Sequence, residues 1–180
     1  KRSPGDVDAV LADALAETGA ISHRFAADLS NPAAVDALIP AVIGKFGRAP
    51  DLLVNNAALF GEGEWADLSA ASLAAMMQVN LSAPIMLAKA LVAASDGMRP
   101  TIVNILDQRV VQPVPDQLAY SLSKSALWQA TATLAVAFGG RARVNAVAPG
   151  LTMATDDYSA GQVERLAGRL LLGALPTPAQ

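Results

Sequence analysis

The chain has 180 residues, 53% of them hydrophobic, and a mean hydropathy of +0.36, which is enough apolar material for one domain with a real core. A net charge of −3 with scattered basic residues argues against a nucleic-acid or anionic-membrane surface and favours a small neutral partner. There is no cysteine and only 1 histidine, so disulfides, thiolate metal sites and a histidine cage are excluded, and a reducing cytoplasm is the simplest setting.

Ser3-Pro4-Gly5-Asp6 reads as a helix start, with Ser3 as cap and Pro4 in the first turn. Val7, Val10, Leu11 and Leu15 form one apolar stripe, and Gly19 ends the helix. "AISHRFAAD" follows as an expected strand, in which His23 reads as a packed or edge histidine rather than a catalytic one. Ser30-Asn31-Pro32 opens a second helix that Gly47 closes, with Pro40 expected to kink it locally. "DLLVNNAA" has the short apolar burst of a strand buried on both faces.

A polar loop with Gly61 and Gly63 leads to a long helical segment from Ser69 to Ser95. "TIVNIL" is another buried strand, and "DQRVVQPVPDQLA" is a loop. The helix "YSLSKSALWQATATLAVAF" ends at Gly139-Gly140, and the strand "RVNAVAPG" runs into a turn. No apolar run approaches the ~20 residues of a membrane span, because the longer ones are interrupted. Alternating strands and helices with short joints predict a doubly wound, Rossmann-like parallel sheet covered on both faces, with ligands bound past the carboxyl ends of the strands.

At those ends stand Asn55 and Asn56, then Asp107, then Asn145 with Pro149-Gly150. Tyr120 and Lys124, spaced i and i+4 at a helix start, lie on one face within mutual reach. Asn80, in "VNLSAP", is polar among apolar neighbours. Each has a plain structural reading: a solvated helix face for Tyr120 and Lys124, a backbone-satisfied side chain for Asn80, a turn for Asn55-Asn56. Together they favour a functional one.

With "DLLVNNAA", "VNL", "YSLSK" and "VNAVAPG" in this order, the chain resembles the short-chain dehydrogenase/reductase family over nearly its whole length. The resemblance implies that Tyr120 is the proton donor for a hydride-accepting carbonyl or imine. Lys124 would favour the phenolate by Coulomb attraction and hydrogen-bond the nicotinamide ribose, and Asn80 would hold a water linking Lys124 to solvent. Asn55, Asn56, Ala57, Pro149, Gly150 and Thr152 would line the cofactor, with Asp28 and Leu29 at its adenine. Arg2 with Ser3, helped by Lys1, suits a 2′-phosphate and so NADPH (NADP+) rather than NAD.

The family's usual serine, thirteen positions before the tyrosine, is here Asp107, and Ile102 to Ala119 contains no serine or threonine. A carboxylate would repel an oxyanion but could accept N–H bonds from a heterocycle or relay a proton to a ring nitrogen. This looks like the pteridine reductase and dihydromonapterin reductase branch; the structural alternative is that Asp107 caps the following loop.

The family's first strand, its glycine-rich phosphate loop and its last strand have no counterpart in the 180 residues, so the chain is expected to be one domain incomplete at both ends, a piece of a longer protein. "LTMATDDYSAGQVERL" is expected to form a lid offering Thr152, Asp156, Asp157 and Tyr158. Relatives suggest a homotetramer built on the helices of Asn80 and Tyr120. Trp128, with Leu127, Leu134 and Phe138, is assigned to the core in preference to that interface. Three functions remain open: an NADPH-dependent pterin-type reductase, a reductase or dehydrogenase of another small carbonyl compound, and a dinucleotide-binding sensor or scaffold without turnover.

Overall fold

The structure, a computed structural model, describes residues 15–61, 65–115, 117–150, 159–168, 170 and 173–175. Three parallel strands, β1 (Leu52–Asn55), β2 (Thr101–Ile105) and β3 (Arg143–Val147), lie in the order β1-β2-β3, with Leu52 opposite Thr101 and Thr101 opposite Arg143. Between them run α1 (Pro32–Phe46), ahead of β1, α2 (Ala70–Met77) and α3 (Ala83–Ala94) between β1 and β2, and α4 (Leu118–Phe138) before β3; α5 (Ala160–Ala167) follows.

The local signals act as expected at most boundaries. Asn31 Oδ1 accepts from Ala33 N at 3.0 Å at the start of α1, and Gly47, with φ 73°, closes it by donating to Ile43 O. Ser69 and Ser72 form a reciprocal capping box at α2. Pro40 sits on the exposed side of α1, which runs unbroken through it, since only the ring's own missing N–H is lost there. Residues 15–18 are helical and Gly19 ends that stretch; the rest of the expected first helix, with Lys1, Arg2 and Ser3, lies outside the described residues.

Two expectations about strands are corrected. Residues 19–28 join no strand ladder among the described residues; His23 there is exposed and packs edge-on to Phe25 at 4.6 Å. Among the described residues β1 is covered on one face, and Leu52 and Val54 are 54% and 49% exposed on the other. The reason is topological: successive crossovers in one direction across a parallel sheet put their helices on the same side. Val35 and Ile39 of α1 and Leu87 and Leu91 of α3 therefore share one core with Ile102 and Val144. The opposite sheet face has no helix on it among the described residues.

The expected long helix from Ser69 to Ser95 is real but not uniform. Between α2 and α3, Gln78–Ser82 form one π-helical turn, an insertion that often marks a functional position. By length and mean composition alone the helical stretch Ala70–Ala94 passes for a membrane span, but Gln78, Asn80, Ser82 and Lys89 interrupt its apolar sequence, as expected. Its Ala83, Leu87, Ala88 and Leu91 pack against the sheet and its Asn80 is buried with polar partners, which is the behaviour of a core helix.

Candidate active site

The polar residues singled out in the sequence converge at the carboxyl edge of the sheet. Asn80, in the π-helical turn, is 1% exposed and fully engaged. Its Oδ1 accepts from Leu59 N at 2.7 Å, and its Nδ2 donates to Leu59 O and Ser123 Oγ, each at 2.9 Å. Ser123 Oγ in turn donates to Tyr120 O at 2.7 Å. Asn80 thus ties the loop after β1 to the first turns of α4, and its satisfaction by a neighbouring backbone, the structural alternative, is what the side chain does.

Tyr120 and Lys124 are both buried, on the same face of α4. Lys124 Nζ donates to Ile105 O at 2.7 Å and lies 5.8 Å from the Tyr120 ring centre. Burial pushes the Lys124 pKa below the ordinary lysine value, with Asp107 pulling it back up. α4 starts after Gln117, whose φ of 55° is the sole positive value at a non-glycine among the described residues. Such local strain tends to sit beside functional groups.

Asp107 serves both roles considered for it. Its Oδ1 accepts from Arg109 N at 2.9 Å, capping the 3-10 turn Gln108–Val110, while its Oδ2 accepts from Tyr120 Oη at 3.2 Å. Burial first, then the charge and hydrogen bond of Asp107, push the Tyr120 pKa far above the ordinary tyrosine range. The expectation that Lys124 lowers it is therefore corrected for the protein without cofactor: desolvation and the neighbouring carboxylate outweigh a cation whose short bond is to a backbone carbonyl.

Asn55 is buried and its Nδ2 donates to Asn104 Oδ1 at 2.8 Å; Asn104 Nδ2 donates to Thr131 Oγ1 at 2.9 Å. Asn56 and Ala57 are exposed at the end of β1. Pro149 O accepts from Gln108 N at 3.1 Å, and a side chain at Gly150 would meet Gln108 Oε1 at 3.2 Å, so the β2 and β3 ends are closely joined. Away from this cluster, Asp28 Oδ1 accepts from Ser30 N and Oγ, which lowers its pKa, and Leu29 packs against the core. Thr152, Asp156, Asp157 and Tyr158 lie outside the described residues.

Sequence reading missed four side chains. Asn104 and Thr131 complete the buried amide chain. Phe60 packs edge-on to Tyr120 at 4.7 Å, and the Arg109 guanidinium carbon lies 5.8 Å from the Phe60 ring centre and 5.7 Å from that of Tyr120. The available signals were Asn104 in an apolar strand and Arg109 two places after the anomalous aspartate.

Fold and edge residues together define a Rossmann-type parallel α/β domain with polar residues gathered past the strand ends. Residues 5–173 match the family model described as enoyl-(acyl carrier protein) reductase, and the chain belongs to the short-chain dehydrogenase/reductase family. It is 33% identical to 2-(S)-hydroxypropyl-CoM dehydrogenase 3 of Xanthobacter autotrophicus, over 83% of this chain and 61% of that one. It is 31% identical to D-threitol dehydrogenase of Mycolicibacterium smegmatis, over 96% of this chain and 67% of that one. Among solved structures it is similar to FolM alternative dihydrofolate reductase 1 from Brucella canis complexed with NADP, at 36% identity and a TM-score of 0.85, covering 98% of this chain and 69% of the other.

Proposed function

We propose that the protein is an NADPH-dependent reductase of a dihydropterin-like heterocycle. The observation that carries this reading is the Asp107 carboxylate accepting from the Tyr120 hydroxyl at 3.2 Å, in the place where the family resemblance implies a serine. A carboxylate offers only acceptors, so it suits the N–H edge of a heterocycle and opposes a developing oxyanion. Phe60, 55% exposed beside Tyr120, adds a flat apolar wall next to these polar groups. The similarity to FolM, complexed with NADP, supports both the substrate class and the cofactor.

The residues present fit the cofactor. The buried Lys124 ammonium has three donors, and Ile105 O is the acceptor it meets among the described residues, so donors remain for ribose hydroxyls. Asn55, Asn56 and Ala57, with Pro149 and Gly150, would border the cofactor at the strand ends, while Arg2, Ser3 and Thr152 are assigned to it from sequence alone. When bound, NADPH supplies hydride to the substrate carbon. Tyr120 gives its proton to the adjoining ring nitrogen and Asp107 orients that edge. Lys124 and the Asn80-anchored loop hold Tyr120 in place while solvent restores its proton.

A second reading, reduction or oxidation of another small carbonyl or alcohol, is favoured by the dehydrogenases among the relatives. NADPH oxidation by the full-length protein, with dihydrobiopterin or dihydromonapterin beside a panel of ketones, decides between them. Turnover of the pterins, its loss in Asp107→Ser, and a drop of ~10²-fold or more in kcat in Tyr120→Phe with NADPH affinity kept are expected. Activity on ketones alone selects the second reading, and tight NADPH binding without turnover selects a binding protein. A homotetramer is proposed from the family resemblance, with the exposed apolar residues of α4, Trp128 among them, as its contact.

A further inference from the structure

We infer that Arg109 is a positioning residue which offsets the charge of Asp107 and so lets Tyr120 become a phenolate beside it. This rests on the reading of Tyr120 as proton donor, and it concerns a cost that the family's serine never incurs. Tyr120 Oη and Asp107 Oδ2 are 3.2 Å apart. Once the phenol has given up its proton, two anionic oxygens would face each other in a site where Tyr120 is 7% exposed. Repulsion at that distance, poorly screened by solvent, would hold back the proton transfer.

The same 3-10 turn supplies the remedy. Arg109 Nη1 lies 3.7 Å from Asp107 Oδ2, the oxygen that Tyr120 uses, and the two side chains are only 19% and 23% exposed. The guanidinium is held over the Tyr120 ring, 5.7 Å from its centre, and over Phe60 at 5.8 Å, so three neighbours fix its position. With Lys124 also 5.8 Å from the ring centre, the charged groups facing Tyr120 among the described residues are Asp107, Arg109 and Lys124. Two cations then balance a carboxylate and a phenolate. The influence of Arg109 on Tyr120 is to lower its pKa, against burial and Asp107. Lysine in place of Arg109 would keep the charge but lose the planar fork of donors that faces Asp107.

The test follows Tyr120 ionisation directly in the full-length protein carrying a polyfluorinated tyrosine, chosen so that its much lower intrinsic pKa brings the transition into the pH range where the protein is folded. The fluorine NMR signal of Tyr120 is assigned by its absence from Tyr120→Phe. Arg109→Gln should raise the Tyr120 transition by ~1 pH unit or more, and Arg109→Lys should restore part of it. In an Asp107→Asn background the Arg109→Gln shift should shrink markedly, because the carboxylate that holds the guanidinium beside the Tyr120 hydroxyl is gone. An unchanged transition in Arg109→Gln, or an equal shift with and without the Asp107 carboxylate, overturns the inference. NMR needs no substrate, so it separates this outcome from failure of the proton-donor reading, which undiminished turnover in Tyr120→Phe would show.

Discussion

Tyr120 ionises against two opponents, its own desolvation and the Asp107 carboxylate, and this gives the folded protein a measurable pH dependence. An unfolded tyrosine loses its proton near pH ~10, whereas the folded one keeps it to higher pH. The contribution is therefore fully present below that pH and is lost as pH rises, because the folded state binds the extra proton. Lys124 acts in the opposite sense: burial lowers its pKa, so just below the ordinary lysine value the unfolded state holds the extra proton and stability rises with pH. Above pH ~10 the tyrosine governs. Thermal unfolding across the alkaline range should show a shallower decline for Tyr120→Phe than for the unaltered protein; equal slopes would mean that the Tyr120 pKa is not raised by folding.

At the scale of elements, the amide chain Asn55–Asn104–Thr131 joins β1, β2 and α4 across the buried face of the sheet. Thr131 Oγ1 finishes it by donating to Leu127 O at 2.7 Å, so polarity in this part of the core is matched at each step. Asn104→Leu keeps the branched shape but leaves the buried Asn55 amide without its acceptor. That change should destabilise the protein by ~1–3 kcal/mol in denaturant unfolding. It should also loosen the end of β1, which supports Asn56 and Ala57. A loss below ~0.5 kcal/mol would show that water or a shifted side chain takes over the bond. The π-helical turn is a comparable joint: it places Asn80 where it can hold both the loop at Leu59 and Ser123 in the helix of Tyr120.

For the whole molecule, the decisive surface is the outer side of α4. Trp128, assigned from sequence to the core, is 48% exposed; Val136 and Leu122 are exposed too, about 80° and about 120° round the helix from it. Leu127, one position earlier, takes the buried place instead, since adjacent helical positions point about 100° apart. If this side meets another copy, Trp128→Glu should shift sedimentation toward smaller species and lower the melting temperature in a concentration-dependent way. Unchanged sedimentation in that variant would remove α4 from the assembly.

Much of this was legible in the residues. Helix ends at Asn31, Gly47 and Ser69 follow from local hydrogen bonding, and the Tyr120–Lys124 pairing follows from helical spacing, so neither needs distant parts of the chain. The anomaly at Asp107 was legible as well, because it is a residue type at a counted interval. Tertiary structure alone decided what each group faces. That Asp107 caps its own turn and also takes the Tyr120 hydroxyl depends on β2 ending beside α4. That Arg109 lies over two rings and that Asn104 bridges Asn55 to Thr131 depends on contacts between segments tens of residues apart. Burial of β1 on one face and the exposure of Trp128 were misjudged from sequence for the same reason: apolar composition says that a side chain gains by burial, while only the arrangement of helices says which face is covered.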